Sequence, residues 1–237
     1  MGGMEKEWGG NEEGMKRDRR GIQFVADIAE EWQAKLVTEI RRKAIHLSGL
    51  SVPFGLLVFG QTFTATMIAL ALVVALVLEW HRLKGKISLP EVRAQEKDKI
   101  ASYIYYITGS LLCVLLFPPM IAVTAMLLLS LGDTVSGLVG SVLAKADVRS
   151  RREMWCCKPM PIVVVMFTAC LLIGYLASGI TRLSFPVYFA GAVGATFADC
   201  VPIVIRNKGL DDNFSIPIFA GLLMSAAAYA SATWMPI

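Results

Sequence analysis

Seven apolar stretches follow one another along this chain of 237 residues, at 44–59, 62–79, 101–117, 120–143, 161–178, 185–205 and 214–233. A membrane-crossing helix needs roughly 20 mostly apolar residues, so this succession limits the fold more than any motif does. It predicts an all-α integral membrane protein of about seven transmembrane helices, the first one short. A hydrophobic content of 55% and a mean hydropathy of +0.58 exclude an ordinary soluble domain, for which about 45–50% is usual.

The basic residues orient the spans. Of the 23 Lys and Arg, nine precede Ala44, six fall between Arg82 and Lys99, five between Lys145 and Lys158, and two are Arg206 and Lys208; Arg182 alone lies on the other side. Loops with the positive excess are cytoplasmic, so the N-terminus is expected inside, and the alternation agrees with seven crossings. The net charge of +4 is thus a topology signal, and no basic patch interleaved with aromatics points to nucleic acid. Three regions result: a charged, Gly-rich tail at 1–21, expected to be mobile; an amphipathic helix at 22–43 on the cytoplasmic membrane face, with Ile22, Val25, Ile28, Trp32, Leu36 and Ile40 at three- and four-residue steps; and a polytopic catalytic domain at 44–237. The charged start and the lack of a small-residue cleavage pattern predict a retained first span. Cys113, Cys170 and Cys200 lie within spans as small hydrophobes, and Cys156-Cys157 in a cytoplasmic loop, where thiols stay reduced.

Acids inside such stretches are costly and mark functional sites. Asp133 interrupts the fourth stretch within Gly132-Asp133-Thr134, with Gly137 and Gly140 on the same helical face. It lies 14 residues after Pro119, as Asp199 does after Phe185; at ~1.5 Å per residue both sit about 21 Å from the outer end. Glu79 and His46 belong near the same inner layer. Arg42, His46 and Gly49 follow an i, i+4, i+7 spacing that offers a phosphate-binding face, although Arg42 and Lys43 are equally explained as headgroup anchors. Glu79 and Arg82 are spaced to pair on one helix. Asp211-Asp212-Asn213 before the last span supplies oxygen ligands suited to Mg²⁺, with a helix N-cap as the competing account of Asn213 or one Asp.

Taken in order, Arg42-Lys43-Ala44-Ile45-His46, the Glu79/Arg82 pair, Gly132-Asp133-Thr134 with Gly137 and Gly140, and Asp211-Asp212-Asn213 before Ile216-Pro217 resemble the CTP-dependent polyprenol kinase family. That family includes dolichol kinase, phytol kinase and the CTP-dependent diacylglycerol kinase, and is distantly similar to phosphatidate cytidylyltransferase. The resemblance implies transfer of the CTP γ-phosphate, with Mg²⁺, to the hydroxyl of a membrane lipid alcohol of dolichol or polyprenol type at the cytoplasmic face. It implies Asp133, His46 and Asp199 as catalytic candidates; Arg42, Lys43, Gly132, Thr134, Gly137, Gly140, Lys158 and Asn213 for nucleotide phosphates; Asp133, Asp211 and Asp212 for metal; and Glu79 and Arg82 in support. Two positions depart from the family pattern: Lys158-Pro159-Met160-Pro161 replaces a Lys-Ser-x-Glu-Gly segment, and Asp199 stands where Glu is usual. The alternatives are a diacylglycerol acceptor, CMP transfer to a lipid phosphate, and an ion-coupled transporter, for which inverted repeats are expected and none is evident.

Overall fold

The computed structural model describes residues 46–87, 99–143, 158–201, 204–205 and 208–233. The tail at 1–21, the segment 22–43, Arg42, Lys43 and the Cys156-Cys157 pair lie outside the described residues. The described chain is helical apart from one short strand pair. Its elements are α1 (Ser51–Leu83), α2 (Ser102–Leu116), α3 (Pro119–Leu127), a π-helical turn (Leu128–Gly132), α4 (Asp133–Leu143), α5 (Met160–Thr181), α6 (Phe185–Cys200), β1 (Val204–Ile205), β2 (Lys208–Gly209) and α7 (Asp212–Thr233).

Helix α1 holds two of the predicted stretches. At Gly60 the backbone leaves the helical region, with φ 81° and ψ 175°, a conformation open to glycine and strained for other residues. The chain folds back there so closely that a Cβ on Gly55 would meet the Thr64 hydroxyl at 3.1 Å. The Thr64 hydroxyl in turn donates to the Gly60 carbonyl at 2.8 Å. Gln61 Nε2 donates to the Val114 carbonyl at 2.6 Å, tying this turn to the end of α2.

Four helices, His46–Leu83, Pro119–Gly140, Met160–Thr181 and Asp212–Ala232, are long and apolar enough to cross a membrane, and Ser102–Leu116 is a shorter apolar helix. The Pro119–Gly140 segment is central, for 72% of its apolar window is buried within the protein against 22–33% for the other three. Met126, Leu128 and Leu129 from this segment meet Met166, Ile216 and Met224 in the core. The outward faces carry Phe54, Val73, Trp80, Leu172, Leu176 and Tyr229, all exposed. An apolar belt of this kind suits a lipid environment and would aggregate in water. Helices α6 and α7 approach closely where Gly194 lies on the α7 backbone; a Cβ there would come 2.6 Å from the Phe219 carbonyl oxygen, the small-residue contact of membrane helix pairs.

The sixth stretch ends earlier than the sequence pattern predicts. Its helix stops at Cys200, and Val201 is extended at φ −101° and ψ 118°. Pro202 follows, and the residue before a proline is driven out of the α region by steric clash. Val204 and Ile205, expected to be helical, instead pair antiparallel with Gly209 and Lys208.

Candidate functional site

The site forms where the ends of several helices meet. Asp133 begins α4 directly after the π-helical turn. Such a turn carries one more residue than an α-turn and frequently marks a functional position, because it rotates whatever follows relative to the helix before it. Thr134 Oγ1 donates to the Ser130 carbonyl at 2.6 Å, satisfying an acceptor in the widened turn. Gly132 faces α5, where a Cβ would lie 2.7 Å from Cys170 Sγ; its lack of a side chain lets α5 close on the turn.

Three carboxylates converge there. One oxygen from each of Asp133, Asp199 and Asp212 lies within 4.8 Å of the others, and Asp133 and Asp199 are buried. Like charges held this close in a buried site repel strongly unless a cation sits among them. Lys158 Nζ donates to Asp199 Oδ1 at 2.5 Å, and the Lys158 backbone N–H reaches the Cys200 carbonyl at 3.3 Å. Burial opposes the charge on the Lys158 ammonium, but Asp199, Asp212 and Asp133 together raise its pKa above the ordinary lysine value. One ammonium against three carboxylates leaves a deficit that a divalent cation would fill, and an all-oxygen donor set suits Mg²⁺.

On its other side Asp133 meets an imidazole. His46 Nδ1 and Asp133 Oδ2 are 3.2 Å apart, both side chains at most 10% exposed. The Tyr106 ring stands edge-on to His46 with centroids 5.4 Å apart, and its hydroxyl is 3.1 Å from Ser130 Oγ. The fit requires Gly49, since a Cβ there would fall 1.5 Å from the Tyr106 hydroxyl oxygen.

Asp211 faces a different set of partners from Asp212. Ser102 Oγ donates to Asp211 Oδ2 at 2.5 Å, while the Asn213 backbone N–H and Nδ2 donate to Asp211 Oδ1 at 3.0 and 2.7 Å. This is the N-cap alternative for the Asp-Asp-Asn segment, with the cap bonded across to α2. Burial and the charge of Asp212 raise the Asp211 pKa to about 6, against the hydrogen bonds from Ser102 and Asn213.

Glu79 and Arg82 form a bidentate pair, Nε to Oε2 at 2.8 Å and Nη2 to Oε1 at 2.6 Å. The pair also receives the Ala101 N–H at 2.8 Å and the Tyr103 hydroxyl at 2.7 Å, and Arg82 Nη2 donates to the Lys99 carbonyl at 2.5 Å. It therefore clasps the end of α1 to the start of α2. Gly140 lies against Ile162 of α5, where a Cβ would be 3.4 Å from Cδ1, while Gly137 is half-buried one turn nearer Asp133. Sequence reasoning missed Ser102, Tyr103, Tyr106 and Ser130; the Ser and Tyr cluster opening the third apolar stretch was the available signal.

An elongated cavity of about 580 Å³ adjoins this layer between α1 and α2. His46, Ser102 and Asn213 line it together with apolar residues such as Phe63, Met67 and Ile107.

No family model and no solved structure matches the chain. Among curated proteins it is similar to CTP-dependent diacylglycerol kinase 1 of Schizosaccharomyces pombe, 28% identical over 216 residues that cover 82% of this chain and 94% of that protein. With the motif order that carries the family resemblance, a likeness of this extent supports the resemblance to the CTP-dependent lipid kinases.

Proposed function

We propose that the protein transfers the γ-phosphate of CTP to the hydroxyl of a membrane lipid alcohol, using Mg²⁺ held by Asp133, Asp199 and Asp212. The observation that carries this reading is the position of Asp133 between the His46 imidazole and the other two carboxylates. Phosphoryl transfer depends mainly on positioning and on neutralising the phosphate oxygens. When bound, the cation supplies that neutralisation and orients the donor. The acceptor oxygen attacks the γ-phosphorus, the bond from phosphorus to the β-bridging oxygen breaks, and its electron pair leaves with CDP. The hydroxyl proton passes to His46, and the Asp133 carboxylate 3.2 Å from Nδ1 stabilises the imidazolium that results. Lys158, now on Asp199, would follow the departing negative charge, and Arg42 and Lys43, which lie outside the described residues, are the further cations that the family resemblance implies for the phosphates.

The sequence reading favours a dolichol- or polyprenol-type acceptor, while the name of the curated relative makes diacylglycerol the first to test. The seven crossings, with the N-terminus and the site on the cytoplasmic side, are part of this proposal and rest on the distribution of Lys and Arg. In purified protein supplied with Mg²⁺, label from γ-³²P CTP is expected in the lipid and label from α-³²P CTP is not. Lipid labelled from the α position would instead establish CMP transfer.

Gly49→Ala tests the packing behind His46. The new methyl must displace Tyr106, and a shift of about 1 Å in a positioned group costs on the order of 100-fold. A fall of that size in kcat is expected while the protein still purifies as a folded species; unchanged kcat would show that the Tyr106 contact does not position His46.

A further inference from the structure

The cavity between α1 and α2 has a polarity gradient along its length. One end carries His46, Ser102 and Asn213, and the other Phe59 and Phe63 beside the fold-back at Gly60. Between Phe63 and Ala71, both lining residues, α1 advances about 12 Å at ~1.5 Å per residue. The long axis therefore follows the helix, in the direction a lipid tail takes in a bilayer. Phe54, Phe59, Phe63 and Met67 line the cavity and are also among the exposed residues of α1, so the opening faces the apolar surroundings.

The polar end requires a hydrogen-bond donor. Asn213 is 4% exposed, and its Nδ2 is committed to Asp211 Oδ1 at 2.7 Å and to Ser102 Oγ at 3.0 Å. Because a carboxylate only accepts, the amide cannot be turned round, and Oδ1 is left buried with no partner among the described residues. A buried acceptor without a donor is costly. The neighbouring polar liners are already engaged, Tyr103 with Glu79, Tyr106 with Ser130, and Ser110 with the Tyr106 carbonyl.

We infer that this cavity seats the lipid acceptor, with one aliphatic chain along α1 and α2 and the hydroxyl donating to Asn213 Oδ1 beside His46. The inference deepens the kinase reading and rests on it for the word acceptor. It assigns Asn213 to positioning the lipid, where the family resemblance implied nucleotide binding. A hydroxyl held this way keeps its lone pairs free for attack and turns its O–H from Asn213 to the neighbouring His46 as the proton leaves, and a site built to bond a hydroxyl rejects an analogue that lacks it.

The test uses the full-length wild-type protein in detergent without nucleotide, and a long-chain primary alcohol with a diazirine in its chain as photoprobe. Adducts are expected on cavity residues such as Phe63, Met67 and Ile107. Unlabelled alcohol should compete at least tenfold better than its O-methyl ether, which accepts but cannot donate. In Asn213→Leu the two competitors should become equivalent, and Ala71→Phe should suppress labelling by filling the groove from an exposed position. Adducts elsewhere, or equal competition by the ether in wild type, would overturn the assignment. If labelling follows the expected pattern but no γ-phosphate is transferred, the kinase reading falls and the cavity stands as a lipid-alcohol site; if transfer occurs and the adducts lie elsewhere, the reverse holds.

Discussion

Asp133→Asn is expected to reduce turnover about a thousandfold or more, with the protein still membrane-inserted and no less thermally stable. The first half follows from what the carboxylate faces. Asparagine keeps the shape but loses the charge needed both by a cation among Asp133, Asp199 and Asp212 and by the His46 imidazole, and losses of this scale attend removal of groups that stabilise transferring phosphoryl charge. The second half follows from electrostatics without the cation. Removing one of three crowded, buried acids relieves repulsion, so the metal-free variant should unfold at the same temperature or higher. Activity assays and thermal unfolding in one detergent give both numbers. Full retained activity would remove Asp133 from the mechanism, and lowered activity with a collapsed melting temperature would recast it as structural.

Arg82→Ala should have the largest effect on stability. The guanidinium and the Glu79 carboxylate are 6% and 5% exposed at the side-chain level, and breaking a pair buried this deeply typically costs about 3–5 kcal/mol, because it strands the remaining charge. Arg82→Lys should recover only part of the loss, since an ammonium cannot reproduce the two parallel bonds to Glu79. Glu79→Leu combined with Arg82→Leu should be milder than Arg82→Ala alone. Its rescue stays incomplete, because the Ala101 N–H, the Tyr103 hydroxyl and the Lys99 carbonyl all lose partners. Unfolding midpoints of the four proteins decide the matter; an Arg82→Ala midpoint equal to wild type would mean the clasp contributes nothing to the fold.

Much of this organisation is written in the chain because a bilayer leaves few choices. Helices occupy the described apolar stretches except at the end of the sixth, where Val204 and Ile205 form a strand, and the gap between the first two stretches at Gly60-Gln61 is where α1 doubles back. The depth argument set Asp133 and Asp199 in one layer from helical rise alone, and their carboxylates do approach each other, with Asp212 beside them. Other features resist such reading because they depend on azimuth and tertiary contact. Whether Asp211 or Asp212 turns towards Asp133 is decided by how α7 begins, and a spacing of one residue cannot settle it. Lys158 could be counted as a cation near the site, but its bond to Asp199 spans a loop and a helix with no local pattern. The Ser102, Tyr103 and Tyr106 contacts are likewise invisible to periodicity, since Ser and Tyr at a span boundary ordinarily report only the headgroup region.

The π-helical turn at Leu128–Gly132 carries a consequence for how such a site can arise. Upstream of it the segment is buried on nearly every side, from Ile121 to Met126, and any change of rotation there would disturb the whole core. One surplus residue in the turn uncouples the two halves: the buried half keeps its registry with its neighbours, while the downstream half points its first side chain where chemistry requires. A single-residue insertion into an ordinary helix can therefore introduce an acid to a new compass bearing without repacking anything before it, which is an inexpensive evolutionary route from a structural span to a reactive one.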